Sequence, residues 1–247
     1  MATALVPAPL RRLAARQRRA LRDWWHGRLG PWVVGPLNPR LDGTITRPIA
    51  HYTCPILNPS FQQHVYDNKM HNLALVRSRL DGVTLEPGDL FSFWRLVGPP
   101  DQAHGFKVAS NFIGGRLGFA EGGGICQLTG ALYNAALIAG LDILERHAHS
   151  IDAYGPDRYV PLGRDATVVY GHKDLQFRNA TNVPMTLRIR IDPTQVEAAF
   201  RAPRRPFTDV CIDVTALTGD GLHTRTRRGR DGRWELVSED RYALPTS

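Results

Sequence analysis

The segment EGGGICQLTGALYNAALIAG, Glu121–Gly140, decides how the rest of the chain is read. Ile125, Leu128, Leu132, Ala135 and Ala139 recur at helical spacing and Gly140 supplies a C-terminal stop, which predicts a helix over about 125–139. Downstream the period changes to two. Met185, Leu187, Ile189 and Ile191 alternate with Thr186, Arg188 and Arg190, and Val210, Ile212 and Val214 repeat the pattern. Strands are likewise expected over Asp165–Tyr170 and Leu175–Phe177, and Asp231-Gly232 is suited to turn a last hairpin before Trp234 and Leu236. Upstream, Asn58-Pro59-Ser60 has the chemistry of a helix start, with Ser60 and Gln63 at capping-box spacing. Tyr66, Met70, Leu73, Val76 and Leu80 continue at helical period as far as Gly82, giving a helix over about 59–80. A Pro87-Gly88 turn precedes the aromatic segment Phe91–Trp94, and residues 106–120 offer a hairpin around Gly114-Gly115. The expected fold is α+β, two principal helices (about 59–80 and 125–139) packed on a mostly antiparallel sheet.

The chain has 247 residues and a net charge of +8, but the charge is unevenly spread. Residues 1–30 carry seven Arg and one Asp, residues 31–200 carry 15 charges of each sign, and residues 201–247 carry nine basic and seven acidic. A neutral centre excludes a protein that coats nucleic acid through its whole surface, and no nucleic-acid partner is expected. With 43% hydrophobic and 22% charged residues the centre has the makeup of an ordinary folded domain. The organisation read from this is a basic leader over 1–30, a Pro-rich linker or strap over 31–57, a domain over 58–200 and an Arg-rich β extension over 201–247. Leu10, Leu13, Leu21, Trp24 and Trp25 lie near helical spacing among arginines, so residues 10–28 suit an amphipathic helix at an anionic membrane surface. A flexible basic leader is the plainer reading of the same residues. No apolar run approaches the roughly 18 residues of a spanning helix, and three widely spaced cysteines fit no disulfide framework. A cytoplasmic location, at most peripheral to the inner face of the membrane, is therefore expected.

Chemistry concentrates where Glu121-Gly122-Gly123-Gly124 feeds Cys126 into the first turn of the expected helix. Unpaired N–H groups and the helix dipole favour a thiolate there, and glycines let a substrate approach the backbone. A tight turn followed by a small buried cysteine is the bland alternative. A nucleophilic cysteine needs a base and a group that orients it. In an extended chain His147 and His149 share a face, so either imidazole can meet Cys126, and Asp165 or Asp174 can hold the ring tautomer. Solvated histidines and an Asp165–Arg164 pair are the ordinary alternatives. Gly122, Gly123, Gly124, Gln127 and Arg164 are the candidates for oxyanion or substrate binding. A zinc set of Cys126, His147, His149 and His172 is disfavoured, since one thiolate without a tight ligand pair is a poor zinc site. The glycine run lacks the Lys-Ser/Thr ending of a phosphate loop. No metal or cofactor is expected.

Several blocks together carry a resemblance: Asn58-Pro59-Ser60-Phe61, Asn68-Lys69 with Asn72-Leu73, LEPGDLFSF (Leu85–Phe93), GGGICQ (Gly122–Gln127), Leu132-Tyr133-Asn134, ERHAHS (Glu145–Ser150) and GRDATVVY (Gly163–Tyr170). Over roughly residues 55–200 the chain resembles the VanW family. The resemblance implies a bacterial protein linked to glycopeptide (vancomycin) resistance or the cell envelope, and it supplies no mechanism. Residues and resemblance together lead to the expectation of a cysteine-dependent acyl-transfer or amide-hydrolysing activity on a peptide-like cell-envelope substrate. Cys126 is then the nucleophile, His149 or His147 the base and Asp165 the orienting carboxylate. The alternative is a non-catalytic binding module for a peptidoglycan precursor or a protein partner.

Overall fold

Helix α4 (Cys126–Ala139) is buried from Gln127 through Leu137 on every side rather than along one stripe. Small residues on all faces permit this: Gly130, Ala131, Ala135 and Ala136 let neighbouring backbone approach closely. The helix lies across β1 (Arg47–Pro55) and β9 (Gln195–Ala202). These strands belong to an antiparallel four-stranded sheet of order β1-β9-β8-β2, with β8 at Met185–Ile191 and β2 at Thr84–Leu85. A computed structural model describes residues 8–28, 30–35, 47–58, 62–113 and 116–245 of the chain. The architecture is α+β, and among the described residues the named strands pair antiparallel, with isolated parallel bridges at Trp32–Leu90 and Ile151–Ala243.

Helix α2 (Gln63–Leu80) packs on β8 and on the hairpin strand β4 (Val108–Ile113), whose partner is β5 (Arg116–Glu121). The helix starts later than its sequence suggests, at Gln63, with Gln62 in the capping position and no side-chain cap bond. Pro59 and Ser60, the expected cap, lie outside the described residues, as do the hairpin glycines Gly114 and Gly115. A three-stranded sheet of order β3-β7-β6 joins Leu90–Ser92, Gln176–Arg178 and Asp142–Glu145. The short helix α3 (Phe93–Val97) follows β3.

Three sequence expectations are corrected. Residues 47–55, read as part of a linker, form the edge strand β1, where Pro48 and Pro55 are tolerated because they sit near its two ends. Residues 165–170, read as a strand, form only an isolated bridge between Val169 and Lys173. Their polar groups serve α4 and the histidine segment instead: Thr129 donates to the Ala166 carbonyl at 2.7 Å and the Thr167 N–H donates to the His147 carbonyl at 2.8 Å. The leader, finally, is not a flexible arm over its described part. Helix α1 (Ala8–Trp25) docks through Arg19, whose Nη1 reaches Asp174 at 2.6 Å.

The C-terminal sheet, β10 (Val210–Ala216), β11 (His223–Arg230) and β12 (Arg233–Arg241), turns its last hairpin at Asp231-Gly232, both with positive φ. Buried Arg228 donates to the Leu141 carbonyl at 2.6 Å, and Arg230 donates to the Gly140 carbonyl at 3.0 Å. Two cations thus meet the carbonyl end of α4, where the helix dipole favours them. Among the described residues no helix is long and apolar enough to cross a membrane.

Candidate functional site

The first turn of α4 meets two irregular segments, residues 146–152 after β6 and residues 163–168. The glycine run brings the turn into position by close approach. A Cβ on Gly123 would strike the Ala109 carbonyl of β4, and Gly124, at φ +89°, rests on the aliphatic stem of Lys69 from α2. The N–H groups of Gly122 and Gly123 donate to the Lys107 and Ala120 carbonyls. These two glycines therefore shape the turn rather than face the site.

Cys126 is partly exposed at the helix start. Its sulfur lies 3.7 Å from Thr167 Oγ1, and the His149 imidazole and the Val168 backbone are near enough to stabilise its charged form. His149 Nδ1 lies 2.6 Å from Asp165 Oδ2, which leaves Nε2 for the sulfur. The same Oδ2 accepts the His149 backbone N–H at 2.7 Å. Oδ1 accepts Arg146 Nη2 at 2.8 Å and the Tyr242 hydroxyl at 2.6 Å, while Arg146 Nε donates to the Asp165 carbonyl at 2.6 Å. Asp165 is thus held by four donors, and the ring it orients has little freedom to turn.

The charges follow from these contacts. Burial pushes the Cys126 thiol up, but the hydrogen bond and charge of His149, with the Val168 and Thr167 bonds, outweigh it and the thiol is net acidified. Burial opposes the imidazolium of His149, yet bonds to Asp165 and Cys126 raise its pKa well above the usual histidine range. Burial also opposes the Asp165 carboxylate, while the His149 bond and the Arg146 charge bring it down to about 2. Lys69, almost fully buried, is lowered by burial to about 8 and donates to the Leu57 carbonyl at 2.5 Å. These shifts move the pair toward a thiolate beside an imidazolium, with Asp165 ionised behind it. Cys54 makes the contrast, since burial alone pushes it up to about 12.

A cavity of about 90 Å³ opens over Cys126, lined by Gln127, His149, Asp165 and Gly124 together with Lys69, Asn111, Phe112 and Tyr159. Both polar atoms of the Gln127 carboxamide are buried without a hydrogen-bond partner, and so is the Tyr159 hydroxyl. Buried polar groups in native proteins are normally satisfied, so the Gln127 carboxamide is available to a polar group that enters the cavity. An acidified thiol, an imidazole in reach, a carboxylate behind it and an idle N–H donor are what thiol-based acyl chemistry requires.

Cys126, His149, Asp165, Gln127 and Gly124 come together; the remaining sequence candidates do not. His147 turns its Nε2 to Glu145 at 3.0 Å, because residues 146–149 are not the extended strand that would align the two histidines. Arg164 turns away to the Asn134 carboxamide and the face of Tyr52, and the cation paired with Asp165 is Arg146 instead. Asp174 is buried in the α1 contact. Among the described residues no group of three His, Cys, Asp or Glu has metal-binding geometry. Sequence reasoning missed Arg146, Tyr242 and Lys69. Arg146 lies inside the quoted ERHAHS block and was legible there, whereas Tyr242, 77 residues beyond Asp165, gave no local signal.

Comparison with known proteins agrees with the sequence resemblance. The chain is 37% identical over 123 residues to Uncharacterized protein YoaR of Bacillus subtilis, covering 50% of this chain and 39% of that protein. It is 31% identical over 150 residues to Vancomycin B-type resistance protein VanW of Enterococcus faecalis, covering 60% of this chain and 54% of that one. The chain therefore spans about half the length, or less, of these curated relatives. No solved structure matches it. The family described as VanW like protein matches residues 68–201, more than half of the chain and the span that holds Lys69, Cys126, His149 and Asp165, and the chain belongs to the VanW family.

Proposed function

We propose that the chain is a cysteine-dependent acyl-transfer or amide-hydrolysing enzyme acting on a peptide-like substrate of the cell envelope. The observation that carries this reading is the continuous relay from Asp165 through His149 to Cys126, opening into the pocket of the unpartnered Gln127 amide. The Cys126 thiolate attacks the carbonyl carbon, forming a C–S bond and an oxyanion. The Gln127 N–H and the backbone N–H groups at the start of α4 receive that oxyanion. His149 then gives its proton to the leaving amine as the C–N bond breaks, producing a thioester. Water or an acceptor amine attacks the thioester, His149 takes the proton, and the thiolate leaves. Asp165 keeps the imidazole in the productive tautomer throughout. The envelope as the source of substrate is carried over from the family resemblance; the resistance-protein relative, of which this chain spans 54%, is named only for vancomycin resistance.

A second reading, a non-catalytic module that binds a peptidoglycan precursor or protein partner, draws on the same orphaned carboxamide, since one donor and one acceptor match a peptide group. The probe that separates the two is p-nitrophenyl acetate with intact-protein and peptide mass spectrometry. The enzyme reading expects acetylation at Cys126 followed by its loss on turnover, with both slowed in His149→Ala. Acetylation of exposed Cys211 as fast as Cys126, or a stable Cys126 adduct that never turns over, would leave the binding module as the better account.

A further inference from the structure

Helix α1 is amphipathic in the inverted sense. Two of its charged residues point into the protein: Arg19 is 6% exposed and Asp23 3%. Arg19 is bound by Asp174, and Asp23 accepts Arg95 at 2.8 Å and the Gln176 amide at 3.2 Å. Just beyond the helix, Arg28 donates to Glu145 at 2.8 Å and Gln176 at 2.6 Å, completing a polar latch onto β6 and β7. Its large apolar residues point outward. Leu13 is 52% exposed, Leu21 65%, Trp24 63% and Trp25 80%. Leu21, Trp24 and Trp25 stand at i, i+3 and i+4, so they share one face, and Leu13 and Trp24, three turns apart, lie nearly in line. A surface helix normally buries its apolar stripe and hydrates its charges. Here Arg19 and Asp23 are held inside while the described indoles and leucines are left on the outward face.

We infer that this face is an interfacial anchor for an anionic lipid surface, with α1 lying in the plane of the headgroups and the rest of the protein hung from its buried ionic side. Two observations favour lipid over a second copy of the chain. Paired indoles with leucines suit the boundary between acyl chains and headgroups, and exposed Arg18, seven residues before Trp25, stands on the same face to meet lipid phosphate. In addition, residues 1–30 carry seven Arg against one Asp; Arg19 and Arg28 are spent on buried acids, which still leaves this segment with an excess of basic residues. A two-fold contact of this face with itself would set two such segments against each other, whereas anionic lipid is attracted to both. The inference stands apart from the acyl-transfer reading, since it uses none of the residues around Cys126.

The test is co-sedimentation of the full 247-residue chain with vesicles of phosphatidylglycerol and phosphatidylcholine, compared with phosphatidylcholine alone. Binding is expected to the anionic vesicles, weakened by salt and accompanied by a blue shift of tryptophan emission. The double variant Trp24→Ser/Trp25→Ser, exposed and outside the core, is expected to lose about tenfold or more in affinity for each indole withdrawn from lipid. Trp234→Ser, an equally exposed indole on β12, is expected to bind as the parent does. The inference is overturned if the parent does not bind anionic vesicles, or if the double variant binds as well as the parent. It is also overturned if sedimentation velocity shows a dimer of the parent, unaffected by vesicles, that the double variant abolishes.

Discussion

Two buried aspartates a few residues apart in sequence, Asp165 and Asp174, meet the same kinds of partner and end up in opposite circumstances. Asp174 is 0% exposed and sealed among Arg19, Ser92, Gln176 and the Trp94 and Leu175 N–H groups, with burial pushing its carboxyl up. Asp165 has Arg146, Tyr242 and His149, is held down to about 2, and passes its influence through a titratable ring to a thiol at the edge of a cavity. Burial and an arginine partner are therefore not what marks a working carboxylate. The mark is a titratable chain that runs from it to open space.

The largest expected effect on stability is at the sealed cluster. Asp174→Ala leaves Arg19 buried without its counter-charge, and removing one partner of a buried pair costs about 3–5 kcal/mol. Urea unfolding should show that loss while iodoacetamide labels Cys126 at the parent rate; a parent-like stability would dissolve the distinction between the clusters. Next comes the acid limb. Asp165 falls from 3.8 in the unfolded chain to about 2, so its contribution is present above 3.8 and is lost as pH falls through about 2. The size is on the order of 2 kcal/mol. Unfolding free energies measured across that window should flatten in Asp165→Asn. Asp174, raised rather than lowered, has the opposite slope in the window above 3.8, and Asp174→Asn should steepen the rise of stability with pH there. If both variants shift it the same way, the contrast in charge state is wrong.

Smaller effects sharpen the working cluster. Asp165→Asn should cost about 1–2 kcal/mol, because Arg146 keeps Asp240 and the residue 165 carbonyl. The alkylation rate of Cys126 should fall about tenfold or more as the imidazole loses its orienting acceptor. An unchanged alkylation rate would cut Asp165 out of the relay. Tyr242→Phe, which removes one of four donors to Asp165, should cost about 1 kcal/mol in thermal or urea unfolding and leave the Cys126 rate close to the parent. A rate loss as large as that of Asp165→Asn would make Tyr242 part of the relay itself.

Much of this was legible because periodicity reports burial. The alternation of β8 follows directly from which residues meet the core, the end of α4 from Gly140, and Asp231-Gly232 from the positive φ its turn demands. Cys126, His149 and Asp165 were named from residue type and spacing, but the choice between His149 and His147 was not available, since it depends on an irregular segment whose course tertiary bonds decide. The same failure made a strand of 165–170, where alternating residues follow α4 rather than a neighbouring strand. In α1 the amphipathic pattern was visible, but which side would face the protein was not. The positions of Asp174, Glu145 and Gln176, far away in sequence, determine that the side bearing Arg19 and Asp23 turns inward.

The central claim is that His149 and Asp165 make Cys126 a stabilised thiolate. It is tested most directly by the pH dependence of iodoacetamide alkylation at Cys126, resolved from Cys54 and Cys211 by peptide mass spectrometry, in the parent and in His149→Ala. The account predicts a parent midpoint below the ordinary thiol value of about 8.5, moving upward in the variant as burial alone takes over. A parent midpoint at or above that ordinary value, or one that His149→Ala leaves in place, would contradict it.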